Sequence, residues 1–191
     1  MKDLIIQAAE LDKQFREQKW RYCFIGGIAV QHWGEPRLTK DMDVTLLTGF
    51  GQEEPYIEML LEKYEARIAG AFQFALENRV LLLKNREGTG IDIALAGLPF
   101  EEQAVNRAKL IEFAPNVFLR TCSAEDLVVM KAFAGRPTDW NDVSTICARQ
   151  GAKGIDWRYI REHLAPLCEL KGTPEILDQL ETIRQAHSEK D

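Results

Sequence analysis

Little in this sequence serves metal–sulfur or redox chemistry. Its four cysteines, Cys23, Cys122, Cys147 and Cys168, lie far apart with no Cys-x-x-Cys spacing, which excludes a zinc ribbon and a thioredoxin-like motif. The three histidines, His32, His163 and His187, are scattered and supply no metal cluster. Positive charge is also short: 24 Lys and Arg against 30 Asp and Glu leave a net charge of −6. Phosphate backbones are bound through Lys and Arg, so this balance argues against a broad, sequence-blind nucleic-acid groove but leaves room for a local basic patch. No hydrophobic run is long enough to span a membrane, and residues 1–20 alternate apolar and charged side chains, unlike a secretory leader. Free, buried thiols suit a reducing cytoplasm, the expected location.

What is present suffices for a core. With 191 residues, 46% of them hydrophobic, the chain fits one domain or one domain with a helical appendage. Leu4, Ala8, Leu11 and Phe15, three or four apart, predict an amphipathic helix over residues 3–18. Tyr22-Cys23-Phe24-Ile25 reads as a buried strand running into a tight turn at Gly26-Gly27. Residues 28–33 form a short helix stopped by Gly34 and Pro36, 41–48 a strand, and 53–66 a second amphipathic helix. Strands are expected at 72–76, 79–83 and 91–95, with turns at Glu77-Asn78 and Glu87-Gly88-Thr89-Gly90. A short polar helix follows Pro99, then a strand with Leu110, Ile111 and Phe113, then one at Val117-Phe118-Leu119. From Ser123 onward the pattern is helical, with breaks near Pro137, 151–154 and 172–174. The expected fold class is α+β: a mixed β-sheet flanked by helices in residues 1–122, then a helical C-terminal region, 123–191, packed on that core.

The chemistry centres on Asp41-Met42-Asp43-Val44-Thr45-Leu46. Side chains alternate along a strand, so Asp41 and Asp43 point one way while Met42, Val44 and Leu46 face the core. Adjacent carboxylates repel, and a shared divalent cation relieves them, because Mg²⁺ takes one or two carboxylates and fills its shell with phosphate oxygens. The plain alternative is a solvated turn with two surface acids. Gly26-Gly27, between a strand and a helix, allows backbone N–H groups to approach phosphate oxygens, although most such pairs only turn the chain. In Ile91-Asp92-Ile93-Ala94-Leu95 the acid is anomalous among apolar neighbours, so it is either paired or metal-bound, or it faces solvent on an edge strand.

Ser123 with Asp126 resembles a capping box that starts a helix. Lys131 is the lone charge in the apolar run that follows. It either snorkels outward or meets a buried anion, a nucleotide phosphate or an active-site Asp. Asp139 is expected to cap the next helix and Asp142 to sit in its first turn, where the dipole favours acids, and Arg136 pairs with either acid or reaches a phosphate.

Together, Gly26-Gly27-Ile28-Ala29, Gly34, Arg37, Thr39, Asp41 and Asp43 resemble the core motif of the DNA polymerase β-like nucleotidyltransferase superfamily. The later run Ser123-Ala124-Glu125-Asp126-Leu127, Lys131, Arg136, Asp139 and Asp142 is similar to its AbiEii-type branch, which includes toxins of type IV toxin–antitoxin systems. The resemblance covers residues 24–143. It implies a nucleotidyltransferase fold, with an NTP substrate and Mg²⁺ or Mn²⁺ on Asp41, Asp43 and Asp92. The nucleotide would be bound by Gly26, Gly27, Arg37, Thr39 and Lys131. Asp41, Asp43, Asp92 and Lys131 would be catalytic, with Asp126, Arg136, Asp139 and Asp142 in support. NMP would pass to RNA such as a tRNA 3′ end, or to a protein hydroxyl, and an antitoxin protein would be a partner. The other readings are transfer to a small molecule, as in aminoglycoside nucleotidyltransferases, and a non-catalytic nucleotide-binding module.

Overall fold

Apolar residues spaced for helices and strands build a mixed sheet with its helices in one part of the chain and a helical bundle in another. The structure, a computed structural model, describes residues 2–151 and 154–188. The chain divides into two compact units: residues up to Ile28 with Leu38–Cys122, and Ala29–Arg37 with residues from Ser123 onward.

In the first unit, α1 (Lys2–Glu17) leads to β1 (Tyr22–Phe24) and α2 (Gly26–Trp33), whose first three residues belong to this unit. Next come β2 (Asp41–Leu47), α3 (Glu54–Lys63), β3 (Glu65–Ala66), α4 (Ala71–Asn78), β4 (Val80–Lys84) and β5 (Gly90–Ala96). Helix α5 (Pro99–Arg107) and the hairpin β6 (Lys109–Ala114) and β7 (Val117–Thr121) complete it. The seven strands form one sheet in the order β3-β4-β5-β2-β1-β7-β6. Strands β2 and β5 pair in parallel, as do β1 and β7, and the other pairs are antiparallel. The α+β class expected from the sequence is the one observed.

The buried stripe of α1, Leu4, Ile5, Ala8, Leu11 and Phe15, packs with Val44, Leu46, Leu81, Ile91 and Ile93 in one hydrophobic cluster. Along β2 the even positions Met42, Val44 and Leu46 are buried, and Asp41 and Asp43 are half-buried. Alternation therefore leaves both acids on the opposite face of the strand from the buried even positions.

Three elements differ from expectation. Helix α2 begins at Gly26, two residues before the expected start, so the glycine pair opens the helix. Residues 72–76 form part of helix α4, not a strand, and Glu77-Asn78 is its last turn. The Phe-Gln-Phe alternation imitates a strand, but Ala71 and Ala75 are four apart and both buried, and alanine favours helix. Arg79, in the left-handed conformation at φ 55°, ends the helix. Helix α3 also stops at Lys63, three residues early, and Glu65–Ala66 pairs with Leu83 and Lys84 as an edge strand.

In the second unit, α6 (Ala124–Ala134) packs on α7 (Pro137–Gln150), α8 (Trp157–Lys171) and α9 (Glu175–Ser188). Leu127, Val128, Val129 and Ala132 of α6 are fully buried. Of the expected break at 151–154, residues 152 and 153 lie outside the described residues.

Candidate active site

Pairing of β2 with β5 sets the arrangement of the acids. Asp43 is in register with Asp92 and Asp41 with Gly90. Residues in register on neighbouring strands share a face about 4.8 Å apart, and i, i+2 neighbours share it too. Asp41, Asp43 and Asp92 therefore occupy one face of the sheet.

The backbone of Gly26-Gly27 is packed directly on Asp43. Gly26 has φ +54°, and a Cβ there would overlap the Asp43 carboxylate. Gly27 N–H donates to Asp43 Oδ2 at 3.2 Å, so the positive end of α2 faces this acid. A Cβ on Gly27 would lie 2.6 Å from that of Thr39, whose hydroxyl donates to the Asp41 carbonyl at 3.4 Å.

Asp92 is held by an ion pair with Arg67, both about one-third exposed. Burial raises its carboxyl above the usual carboxylate range; the Arg67 guanidinium pulls it back, and Asp41 adds to the rise. Among the described residues no three His, Cys, Asp or Glu side chains converge tightly enough to cage a metal ion. Paired carboxylates on one face nevertheless suit a hard divalent cation whose shell phosphate oxygens complete, and Asp41 and Asp43 could hold one in that way.

Sequence reasoning missed two residues of this site. Arg67 was expected just past a helix; the short strand β3 instead places it opposite Leu82, the neighbour of Asp92, with Arg67 N–H donating to the Leu82 carbonyl at 3.0 Å. Gly90 was read as a turn residue. It is the first residue of β5, and a Cβ there would lie 3.0 Å from Asp41 Cγ. Both roles arise from sheet register, which no local pattern encodes.

The second unit gathers the remaining candidates. Arg37 grips Asp142 with two parallel hydrogen bonds, Nε to Oδ1 at 2.7 Å and Nη2 to Oδ2 at 2.8 Å. Lys131, largely buried, donates to Asp139 Oδ1 at 2.8 Å and lies 3.0 Å from Asp142 Oδ2. The anion Lys131 meets is thus a pair of carboxylates on α7. The cap position of that helix is Arg136, so Asp139, expected to cap it, lies in its first turn and Asp142, expected in the first turn, lies in the second; Arg136 is 3.9 Å from Asp139 Oδ2. Burial would raise the Asp142 carboxyl, but hydrogen bonds from Arg37 and Lys131 outweigh it and hold the group below the usual range. Asp126, fully buried, accepts from Ser123 Oγ at 2.7 Å and from the Tyr159 hydroxyl at 2.6 Å, which ties the start of α6 to α8.

Comparison with solved structures identifies the same fold elsewhere. An antigenic nucleotidyltransferase-like protein from Paracoccidioides brasiliensis superposes with a TM-score of 0.53 at 16% identity, over 95% of this chain and 93% of that one. The antibiotic-resistance factor ANT(2'')-Ia superposes with a TM-score of 0.56 at 16% identity, over 88% of this chain and 94% of that one. No curated protein matches the sequence. Residues 1–166 match the family described as nucleotidyltransferase of unknown function (DUF6036), and the chain belongs to that family of nucleotidyltransferases.

Proposed function

We propose that this nucleotidyltransferase depends on a divalent cation and moves NMP from an NTP to an acceptor hydroxyl. The observation that carries the reading is the acid face: Asp43 in register with Asp92, Asp41 beside them, and Gly26-Gly27 packed on Asp43. Mg²⁺ or Mn²⁺ would be held by Asp41 and Asp43, with Asp92 completing the set, and would supply positive charge to the triphosphate.

The chain's own groups do the rest. Asp92, whose carboxyl burial has already raised, takes the acceptor hydroxyl's proton as that oxygen bonds to the α-phosphorus. The bond from the α-phosphorus to its bridging oxygen breaks, and pyrophosphate leaves with the electron pair. Arg67 holds Asp92 in place until the acceptor arrives. Gly26, Gly27 and Thr39 bind the nucleotide, and Lys131 and Arg37 neutralise phosphate charge, as the family resemblance implies. An ammonium has three N–H donors, and Asp139 and Asp142 take two from Lys131. Those two acids orient it, with Asp126 and Arg136 supporting the helices.

For the acceptor, the AbiEii-type resemblance favours RNA, such as a tRNA 3′ end, or a protein hydroxyl, and makes the chain the toxin of a pair with an antitoxin partner. A small antibiotic acceptor is the second reading, favoured by the matched extent of this chain and ANT(2'')-Ia. The test is incubation with each α-labelled NTP and Mg²⁺ or Mn²⁺, offering total RNA, protein extract or aminoglycosides in separate reactions. Label should enter one acceptor class and disappear with Asp43→Ala or EDTA. Transfer that survives both treatments would sink the cation site.

A further inference from the structure

The first unit carries a second feature that the acid site does not use. A cavity of about 360 Å³ opens at the Tyr22 end of β1, the end away from Gly26 and the acids. Arg16, Lys19, Arg21 and Arg120 line it, with Trp20 on its wall. Four cations around one cavity are unexpected in a chain of net charge −6.

Their partners account for only half of this charge. Arg16 Nε is bonded to Asp12 at 2.7 Å, and that buried carboxylate also accepts from the Tyr22 hydroxyl at 2.6 Å and from Arg120 N–H at 3.2 Å. Arg21 meets Glu102 at 2.9 Å. The Arg120 guanidinium donates to the Ala108 carbonyl at 3.3 Å, and among the described residues neither it nor Lys19 has a carboxylate at ion-pair distance. The C-terminal dipole of α1 accounts for cations at Arg16 and Lys19 but not for those brought by β7 and by the residue before β1.

Lys19 adds an independent observation. It sits at φ 57° in the helix-ending turn where Lys19 N–H donates to the Arg16 carbonyl and Trp20 N–H to the Phe15 carbonyl, both at 3.0 Å. Glycine is the residue this position ordinarily takes, because a side chain there is strained. The chain places a cation at that strained position, on the cavity wall.

We infer that this cavity is a phosphate-binding site for a nucleotide, free or within an RNA strand, separate from the acid site. Arg16, Lys19, Arg21 and Arg120 meet the phosphate, and Trp20 offers an apolar wall for the base. Binding in this cavity is independent of whether the acid site transfers NMP.

The test measures binding in EDTA in two arms, anisotropy of a labelled single-stranded RNA oligonucleotide and calorimetric titration with ATP, each across a salt series. Lys19→Asn removes the charge with a residue that tolerates the left-handed backbone, Lys19→Arg retains the charge, and Arg21→Gln removes a second cation. Binding should weaken severalfold in Lys19→Asn and Arg21→Gln and recover in Lys19→Arg. In the RNA arm each loss should flatten the slope of log K against log salt by about 0.7. An effect in the RNA arm assigns the site to a strand, and one in the ATP arm alone assigns it to free nucleotide. No binding in either arm, or binding that both substitutions leave unchanged, overturns the inference.

Discussion

Asp142→Asn tests whether the charge network of the second unit is structural. The Asp142 side chain is 1% exposed and accepts two hydrogen bonds from Arg37, at 2.7 and 2.8 Å, with Lys131 at 3.0 Å. Asparagine keeps the shape but turns an NH₂ donor toward one of these cations. Removing one partner of a buried pair costs about 3–5 kcal/mol. Two features reduce that figure: Arg37 is 39% exposed and can turn to water, and Lys131 keeps Asp139 at 2.8 Å. The expected loss is therefore about 2–3 kcal/mol, read as a lower urea midpoint at unchanged m value. The folded Asp142 carboxyl lies below its ordinary value of 3.8, so the network's contribution is complete above that pH. As pH falls through the lower folded value the carboxylate protonates, and the gap between wild type and Asp142→Asn should close. A double-mutant cycle with Arg37→Gln should give a coupling of about 1 kcal/mol or more. A single-mutant loss under about 0.5 kcal/mol at neutral pH, with no coupling, would refute the network.

Gly26→Ala forces a side chain into the left-handed region and onto the Asp43 carboxylate; it should cost about 1–2 kcal/mol in denaturant titration and remove nucleotidyl transfer even at temperatures where the protein remains folded. Arg67→Gln removes the group that lowers the Asp92 carboxyl, so the acid limb of the pH–rate profile should move to higher pH, and an unmoved limb would dissociate Asp92 from proton transfer. Glu181 is held at about 2 against an ordinary 4.5, first by its hydrogen bond from Arg184. Its stabilisation is complete above 4.5 and lost as pH falls toward 2, so Glu181→Gln should flatten stability against pH in that window alone.

Strands β2 and β5, which carry the acids, were legible because their apolar alternation is regular, and both appear within one residue of expectation at each end. So was the helical run from Ser123, whose cap accepts the Asp126 N–H at 3.2 Å. Helix α4 was misread because two phenylalanines in alternation carry a strand signal, while the two alanines that decide the helix carry a weak one. Arg67 and Gly90 were invisible for a different reason. Their positions depend on which residue lies across the ladder, and register is set by the whole sheet and not by a window of sequence. Lys131 was recognised as anomalous on its helix, but its partners sit eight and eleven residues later, where a cap and a first-turn acid explained Asp139 and Asp142 equally well.

The acid face has a consequence for stability as well as for chemistry. Asp43 and Asp92 are directly in register, with Asp41 on the same face, and like charges so placed disfavour the sheet. The surrounding protein offsets part of this: Arg67 pairs with Asp92, and the Gly27 N–H donates to Asp43. Asp41 has no cation paired with it at salt-bridge distance among the described residues, and Gly90 leaves its carboxylate room on the β5 side. A site that keeps such repulsion in the resting protein trades stability for function. Asp41→Asn should therefore raise the unfolding free energy in EDTA, by on the order of 0.5 kcal/mol, and with it the melting temperature, because it removes one like charge and keeps the shape. Adding Mn²⁺ should reverse the ranking: a cation at one hundred times its dissociation constant stabilises the wild type by about 2.7 kcal/mol, and the variant by less. Thermal melts of both proteins with and without Mn²⁺ measure all four stabilities. If Asp41→Asn is the less stable protein in EDTA, the Asp41 carboxylate is structural and its repulsion does not mark a cation site.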